Sequence, residues 1–289
     1  MSKIDLHIHS NNSLDGEISV EEILKRSNER NIEVISITDH NTVKGVKEAI
    51  KLSESMDIKV ISGIEIDCTF KGINLHVLGY GIDYENKVYQ ELEDKMTEVE
   101  LDYVPKAIKK IEDLGYHVDR NILRELSDSD IVAPELIAEC ILKDPKHLNN
   151  EVLKKYRDGG SRGDMPYLNF YRDYFASGKL AYVKKEYMSL EDAIKLVKQS
   201  GGKAILAHPG ESLKDGRIVD EIIKLGIDGL EVFSSYHNEE TTNFYYEVAQ
   251  KHNLIYTCGS DFHGKNKPTI EMGSINCRDN EELIWKKLL

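Results

Sequence analysis

Long apolar runs are what this chain most clearly lacks. No stretch approaches the ~18 uninterrupted apolar residues of a membrane-spanning helix, and Met1-Ser2-Lys3-Ile4-Asp5 carries charge where a secretory leader needs an apolar core. Cysteine is scarce. Cys68, Cys140, Cys258 and Cys277 are scattered through 289 residues with no C-x-x-C spacing. That usage predicts reduced thiols and a cytoplasmic location, without a disulfide framework or a cysteine-based zinc site. Positive charge is also in short supply: the 38 Lys and Arg are outnumbered by 51 Asp and Glu, for a net charge of −13. This balance speaks against binding duplex nucleic acid, which is held mainly through clustered cations. An anionic substrate would have to be met by a local positive feature such as a metal. Six Pro and 20 Gly, beside 40% hydrophobic and 31% charged residues, exclude disordered and collagen-like classes. At ~150 residues per domain, the length suits one barrel-sized domain or two ordinary ones.

What is present is alternation. Residues 3–9, 34–38, 59–66 and 74–80 are short apolar runs that predict strands, and 43–53 predicts a helix. Ser19 and Glu22 form a capping box at the start of another helix. The pattern resumes with strands at 203–207, 229–233 and 254–260 and helices at 189–199, 218–225 and 239–252. Strand–helix alternation implies parallel strands covered by helices, and about seven units close a barrel of the (β/α) type. The stretch from about 85 to 180 differs. Helical periodicity is expected at 91–114, 134–142 and 153–157. A loop is expected at 156–164, and Tyr167, Phe170, Tyr171, Tyr174 and Phe175 form an aromatic stripe read as a packing face. The expected organisation is therefore a barrel from 1–84 and 181–289, with 85–180 an inserted helical subdomain.

The chemistry-bearing residues gather at strand ends. His7 and His9 are two apart, so they share one strand face; with ten His in 289 residues, roughly 0.3 such pairs would arise by chance. Thr38-Asp39-His40 follows the second strand, Gly63-Ile64-Glu65 ends the third, and His76 lies in the fourth. Ala207-His208-Pro209-Gly210 and Ser260-Asp261-Phe262-His263-Gly264 follow later strands, and Asp15 sits in the loop after the first. In a parallel barrel these ends converge on the face where active sites are built. Imidazole and carboxylate are the ligands that divalent transition metals use. One such His would be an ordinary core residue; six on one rim predict a metal site. His117, His147 and His252 default to packing or surface roles. His237, after the 229–233 strand, is an expected substrate contact.

In their order along the chain, H-x-H, S-L-D-G, T-D-H-N, G-x-E, the strand His, A-H-P-G and G-S-D-F-H-G resemble the PHP (polymerase and histidinol phosphatase) family. The resemblance covers roughly residues 1–84 and 181–289 and implies a distorted (β/α)7 barrel, TIM-barrel-like, with two to three divalent transition metals (Mn, Zn or Fe). It implies His7, His9, Glu65 and Asp261 at a first metal. Glu65 would bridge to a second held also by His76 and His208, and Asp15, His40 and His263 would form the third set. Asp39 would orient a neighbouring ligand. Three divalent ions against three carboxylates leave about +3 at the site, which overcomes the distant net charge because that is screened beyond ~8–10 Å.

The implied activity is hydrolysis of a phosphate monoester by a hydroxide held between metals. The style of the motifs and the insertion are closest to nucleotide phosphatases acting on nucleoside monophosphates or 3′,5′-bisphosphates. Histidinol-phosphate phosphatase is the nearest alternative, and a non-catalytic metal-binding module with a partner is the alternative of another class. A metal-dependent C–N hydrolase would order its ligands differently. The PHP phosphatases that the chain resembles often carry R-P-H-I-A-R before the second half of the barrel; here the comparable stretch is Ile131-Val132-Ala133-Pro134-Glu135-Leu136-Ile137-Ala138, without the basic side chains. The insertion is expected to set substrate choice, with Arg157, Arg162, Lys179 and Lys184 as its candidate phosphate contacts.

Overall fold

Apolar runs with little room for turn residues make the first strands. The computed structural model describes residues 2–127, 129–213, 216–275, 277–278 and 281–289. Strands β1 (Ile4–Ile8) and β2 (Val34–Ile37) are buried along their whole length, as parallel barrel strands are. Between them α1 (Val20–Glu29) starts where the Ser19 side chain accepts the Glu22 N–H, and it buries Val20, Ile23 and Leu24. Helix α2 (Lys44–Ser53) then leads to β3 (Lys59–Phe70), which pairs in parallel with β2.

The all-parallel expectation fails next. Strand β4 (Ile73–Tyr80) runs antiparallel to β3. Lys71 and Gly72, with φ of 50° and 79°, reverse the chain in two residues. A two-residue turn with both φ positive makes a hairpin, whereas a parallel return needs a crossover of roughly a dozen residues.

The chain now leaves the barrel through α3 (Val88–Asp113), α4 (Arg120–Leu126), α5 (Pro134–Lys143) and α6 (Pro166–Tyr174). The stretch expected to be helical at 153–157 is instead the end of a 3-10 turn, Glu151–Tyr156, capped by Asn150. Two apolar clusters meet along α3. Tyr89, Leu92 and Met96 pack into the barrel, while Tyr103, Ala107 and Ile111 join Ile137, Ile141, Leu153, Tyr156 and Phe170 in a second core. Each fully buried Ile, Leu or Phe side chain among these contributes roughly 1.5–3 kcal/mol, so the helical segment is held by its own interior. Phe170 and Phe175 of the aromatic stripe are buried in it.

The return runs through β5 (Met188–Ser189), a short strand beside the end of β3. Ser189 caps α7 (Leu190–Gln199), and β6 (Lys203–Leu206) inserts antiparallel beside β4. Then follow α8 (Pro209–Ser212), α9 (Arg217–Lys224), β7 (Gly229–Ser234), α10 (Glu239–Lys251), β8 (Ile255–Gly259) and α11 (Glu281–Lys286). The strand order is β1-β2-β3-β4-β6-β7-β8, with β5 outside it. Just past β8 the chain bonds back to β1: the Asp261 N–H donates to His7 O at 2.8 Å and the His9 N–H to Phe262 O at 3.0 Å. The ring is a distorted seven-stranded barrel, and the distortion is the reversed β4. Gly259 permits the closure, because a Cβ there would lie 2.2 Å from the His7 Cβ. Among the described residues no helix is long and apolar enough to cross a membrane.

Candidate metal centre

Closing β8 onto β1 brings the far ends of the sequence to one floor. The Nε2 atoms of His7 and His9 lie 3.1 Å apart, and each is 3.1 Å from Glu65 Oε2 and 3.2 Å from Asp261 Oδ1. The other oxygen of Glu65 faces a second group, 2.9 Å from His76 Nδ1 and 3.2 Å from His208 Nε2. A third grouping joins His9, Asp15, His40 and His263, with His263 Nε2 3.1 Å and His40 Nε2 3.7 Å from Asp15 Oδ2. All nine residues proposed as ligands thus surround one space, and Glu65 touches all three groups through its contact with His40 Nε2 at 3.4 Å. His208 and Asp261 hold φ of 24° and 57° to reach it. Non-glycine residues enter this left-handed region rarely, and mostly at functional sites.

The donor set fits metal ions on its own geometry. Atoms bound about 2.1 Å from one ion at tetrahedral or octahedral angles stand roughly 3.0–3.4 Å apart, which is the spacing seen here. Asp261 Oδ1 and His263 Nε2 are buried and lack a hydrogen-bond partner among the described residues, though ring nitrogens or carboxylate oxygens stand close. Lone pairs facing one another in this way are expected where a cation belongs. The electrostatics agree. Burial pushes the Glu65 carboxyl up, yet His7, His40 and His76 outweigh it and hold it well below the carboxylate range. Asp15 and Asp261 are held low against burial in the same manner, Asp15 by His263 and His40, Asp261 by Lys267 and His7. Burial lowers His7, but Glu65, Glu231 and Asp261 raise it well above the ordinary imidazole value. With divalent ions bound, the carboxylates need no protonated imidazoles, and the ions supply Lewis acidity and activation of water.

The next layer holds residues that sequence reasoning missed. Glu231 Oε1 lies 2.9 Å from His7 Nδ1, and Glu231 Oε2 accepts the His208 backbone N–H at 2.8 Å. One buried carboxylate therefore sets the ring of one candidate ligand and the backbone of another. A carboxylate inside Gly229-Leu230-Glu231-Val232-Phe233, an otherwise apolar strand, was the available signal, since a buried charge must be paired. Asp5 accepts the Ser260 and Gly273 N–H groups at 2.9 and 2.8 Å and so holds the loop that presents Asp261. Asp67, two residues beyond Glu65 on the same face of β3, lies 3.2 Å from both His40 Nδ1 and His76 Nε2. Glu231→Gln is expected to weaken metal affinity or kcat/KM by roughly 10–100-fold, the usual cost of losing a carboxylate behind a ligand. Titration of metal into the variant, with its melting temperature as a control, checks this. Unchanged affinity would mean that Glu231 only fills space.

Several sequence expectations are corrected here. Asp39 does not touch a ligand side chain; its oxygens accept the Ser10 N–H at 2.6 Å and the Ser10 hydroxyl at 2.7 Å, fixing the loop after His9. His237 belongs to none of the three ligand groups. Its Nδ1–H donates to Val232 O, its Nε2 accepts the Gly210 N–H, and its ring stacks on Tyr245, so one nitrogen ties the ring to β7 and the other holds α8. Arg157 donates to the carbonyls of Leu142 and His147, and Arg162 to Asp173 and the Asn169 carbonyl. Both guanidinium groups are thus spent inside the insertion. Lys179 is exposed, Lys184 pairs with Glu186, and none of these four lines the cavity. Outside the barrel, His117, Asp119 and Asp144 also gather, but Asp144 and Asp119 cap backbone N–H groups of Lys146 and Asn121, a packing role.

The metal floor opens into a cavity of about 930 Å³ whose far wall is the insertion. Ile131, Ala133, Pro134 and Glu135 before and in α5, Tyr171 and Arg172 of α6, and Lys185 and Tyr187 near the return all line it. From the barrel come Tyr236 and Lys267, which donate to Asp261 Oδ2 at 2.7 and 2.6 Å. Burial, with a smaller push from Asp15, raises the Glu135 carboxyl to about 7.

Comparison with known proteins places these features in company. The model of the PHP domain family matches residues 5–202. The chain is similar to the phosphoribosyl 1,2-cyclic phosphate 1,2-diphosphodiesterase of Eggerthella lenta, 28% identical over 90% of this chain and 94% of that protein. It is similar to the 3′,5′-nucleoside bisphosphate phosphatase of Chromobacterium violaceum, 27% identical over 100% of this chain and 97% of that one. A 5′-3′ exoribonuclease of Haemophilus influenzae is 25% identical over 99% of this chain and 98% of its own length.

Proposed function

The chain belongs to the PHP domain family, and from that premise we propose that it is a metal-dependent hydrolase of phosphate esters acting on a small phosphate monoester, specifically a nucleotide. The observation that carries the reading is the shared floor: Glu65 with one oxygen in each of two imidazole groups, and Asp15 with His40 and His263 beside them. His7, His9, Asp15, His40, Glu65, His76, His208, Asp261 and His263 would hold two to three divalent metals there, with Mn, Zn and Fe all suited to the ligand set. When bound, the metals would hold the phosphate and activate water. The chain's own residues then orient and enclose. Glu231 and Asp5 fix the ligands, Lys267 and Tyr236 steady Asp261, and the insertion wall keeps the leaving group in place.

A cavity of about 930 Å³ suits a nucleotide-sized ester. A long polynucleotide would need a cationic track along its backbone, and a net charge of −13 offers little for one. Residues 85–180, as the subdomain that supplies the far wall, are proposed to set specificity. The test is a turnover screen with Mn, Zn and Fe supplied separately, against nucleoside monophosphates and bisphosphates, histidinol phosphate, an aryl phosphate and a short oligoribonucleotide. Nucleotide hydrolysis supports the reading. Exclusive turnover of histidinol phosphate or of the oligonucleotide would replace it, and tight metal binding with no turnover at all would point to a non-catalytic module.

A further inference from the structure

Away from the metal floor, the cavity holds a second population of charges, and their pairing is uneven. Among the described residues, four cations line it, and each is already committed to a carboxylate. Lys44 pairs with Glu93, Arg172 with Glu211 at 2.7 Å, Lys185 with Glu100 at 2.6 Å, and Lys267 with Asp261 at 2.6 Å. Lys185 is fixed further by the face of the Tyr103 ring, 4.1 Å below it. One carboxylate is left over. Glu135 is only 9% exposed, lines the cavity, and has no ion-pair or side-chain hydrogen-bond partner among the described residues. It is the second residue of α5.

We infer that Glu135 is a specificity-determining residue that selects esters with one phosphate, whose leaving group offers hydrogen-bond donors to this wall, and rejects esters with a second phosphate. The inference rests on the phosphoesterase reading and names the substrate class within it. A buried carboxylate needs a partner, and a substrate hydroxyl or amino group supplies one. A second phosphate placed against this wall would meet Glu135, and it would find no described cation free to neutralise it without breaking an existing pair. Lys185 and Lys267 are near enough to act on Glu135 through space, but each already serves a buried carboxylate, so moving either would expose a new unpaired charge.

The experiment uses the full chain loaded with Mn at about pH 8.5, above the value of about 7 to which burial raises Glu135, so that its carboxyl is charged, and three probes: adenosine 5′-monophosphate, adenosine 3′,5′-bisphosphate and p-nitrophenyl phosphate. Wild type is expected to favour the monophosphate over the bisphosphate by at least about tenfold in kcat/KM. Glu135→Gln, which keeps shape and removes charge, is expected to shift that ratio about tenfold toward the bisphosphate, mainly through its KM. A wild type that prefers the bisphosphate, or a ratio unmoved in the variant, overturns the inference. In either case aryl phosphate turnover by wild type shows that the phosphoesterase reading stands. If wild type turns over none of the three esters, that reading fails and the inference fails with it.

Discussion

Glu65→Gln is expected to lower kcat/KM by at least about 1,000-fold, and to cost the protein bound metal in parallel. The magnitude follows from position. Residues behind a ligand typically contribute about 10–100-fold, and Glu65 stands in the first rank of the donor set, with Oε2 3.1 Å from His7 and His9 and Oε1 near His76 and His208. An amide keeps the shape, but it presents one neutral oxygen where the carboxylate presents two charged ones, and its NH2 would point at ring nitrogens meant for a cation. Asp39→Asn makes the internal comparison. That side chain is equally buried but braces Ser10, and the amide can still accept the Ser10 N–H. A much smaller loss is expected there. Elemental analysis and kcat/KM on both variants decide it, and similar losses would mean that Glu65 does not join the groups.

Removing the metals altogether is expected to abolish ester hydrolysis and to lower the melting temperature by about 5 °C or more, with both restored by a divalent ion. A ligand that binds only the folded chain stabilises it by about 2.7 kcal/mol at a hundred times its dissociation constant, and a domain of this size moves roughly 2–4 °C per kcal/mol. The effect should depend on pH in a stated direction. In the metal-free chain the Glu65, Glu231 and Asp261 charges raise His7, and Glu65 and Asp67 help raise His40, in each case against burial. Groups raised in the folded state stabilise it fully below the ordinary imidazole value, and that help is lost as pH climbs through the raised value. Metal binding must also expel those protons. The gap between loaded and stripped protein should therefore widen from about pH 6 to pH 9. Scanning calorimetry at several pH values, with and without chelator, checks this. A gap that stays level as pH rises would mean that the imidazoles are neutral before metal arrives.

The legible part of this protein was its rim. H-x-H at the end of β1 is spaced by the strand's own period, and the acid ending Gly63-Ile64-Glu65 and the pair Asp261 and His263 stand in or just after strands, so their places along the chain bring them to one rim. The seven strands and most helices were legible for a similar reason. Capping by Ser19 and Ser189, and apolar runs of strand length, are local signals that packing reinforces. The antiparallel β4 was less visible, because its cause is a two-residue turn, Lys71-Gly72, whose geometry outweighs the alternation around it.

What depends on distant partners could not be read from neighbours in the chain. Arg157 and Arg162 look like anion contacts in isolation, yet the folded insertion gives their terminal nitrogens carbonyls and Asp173, which hold them away from the cavity. Glu231 looks like a stray charge in a strand until closure of the barrel sets His7 and His208 against it. By itself the sequence determined the candidate ligand types and their order at the strand ends, because those follow from strand–helix alternation and the chemistry of imidazole and carboxylate. Only the tertiary structure decided which charges remain unpaired in the cavity, since pairing is a matter of distances between residues tens to hundreds of positions apart.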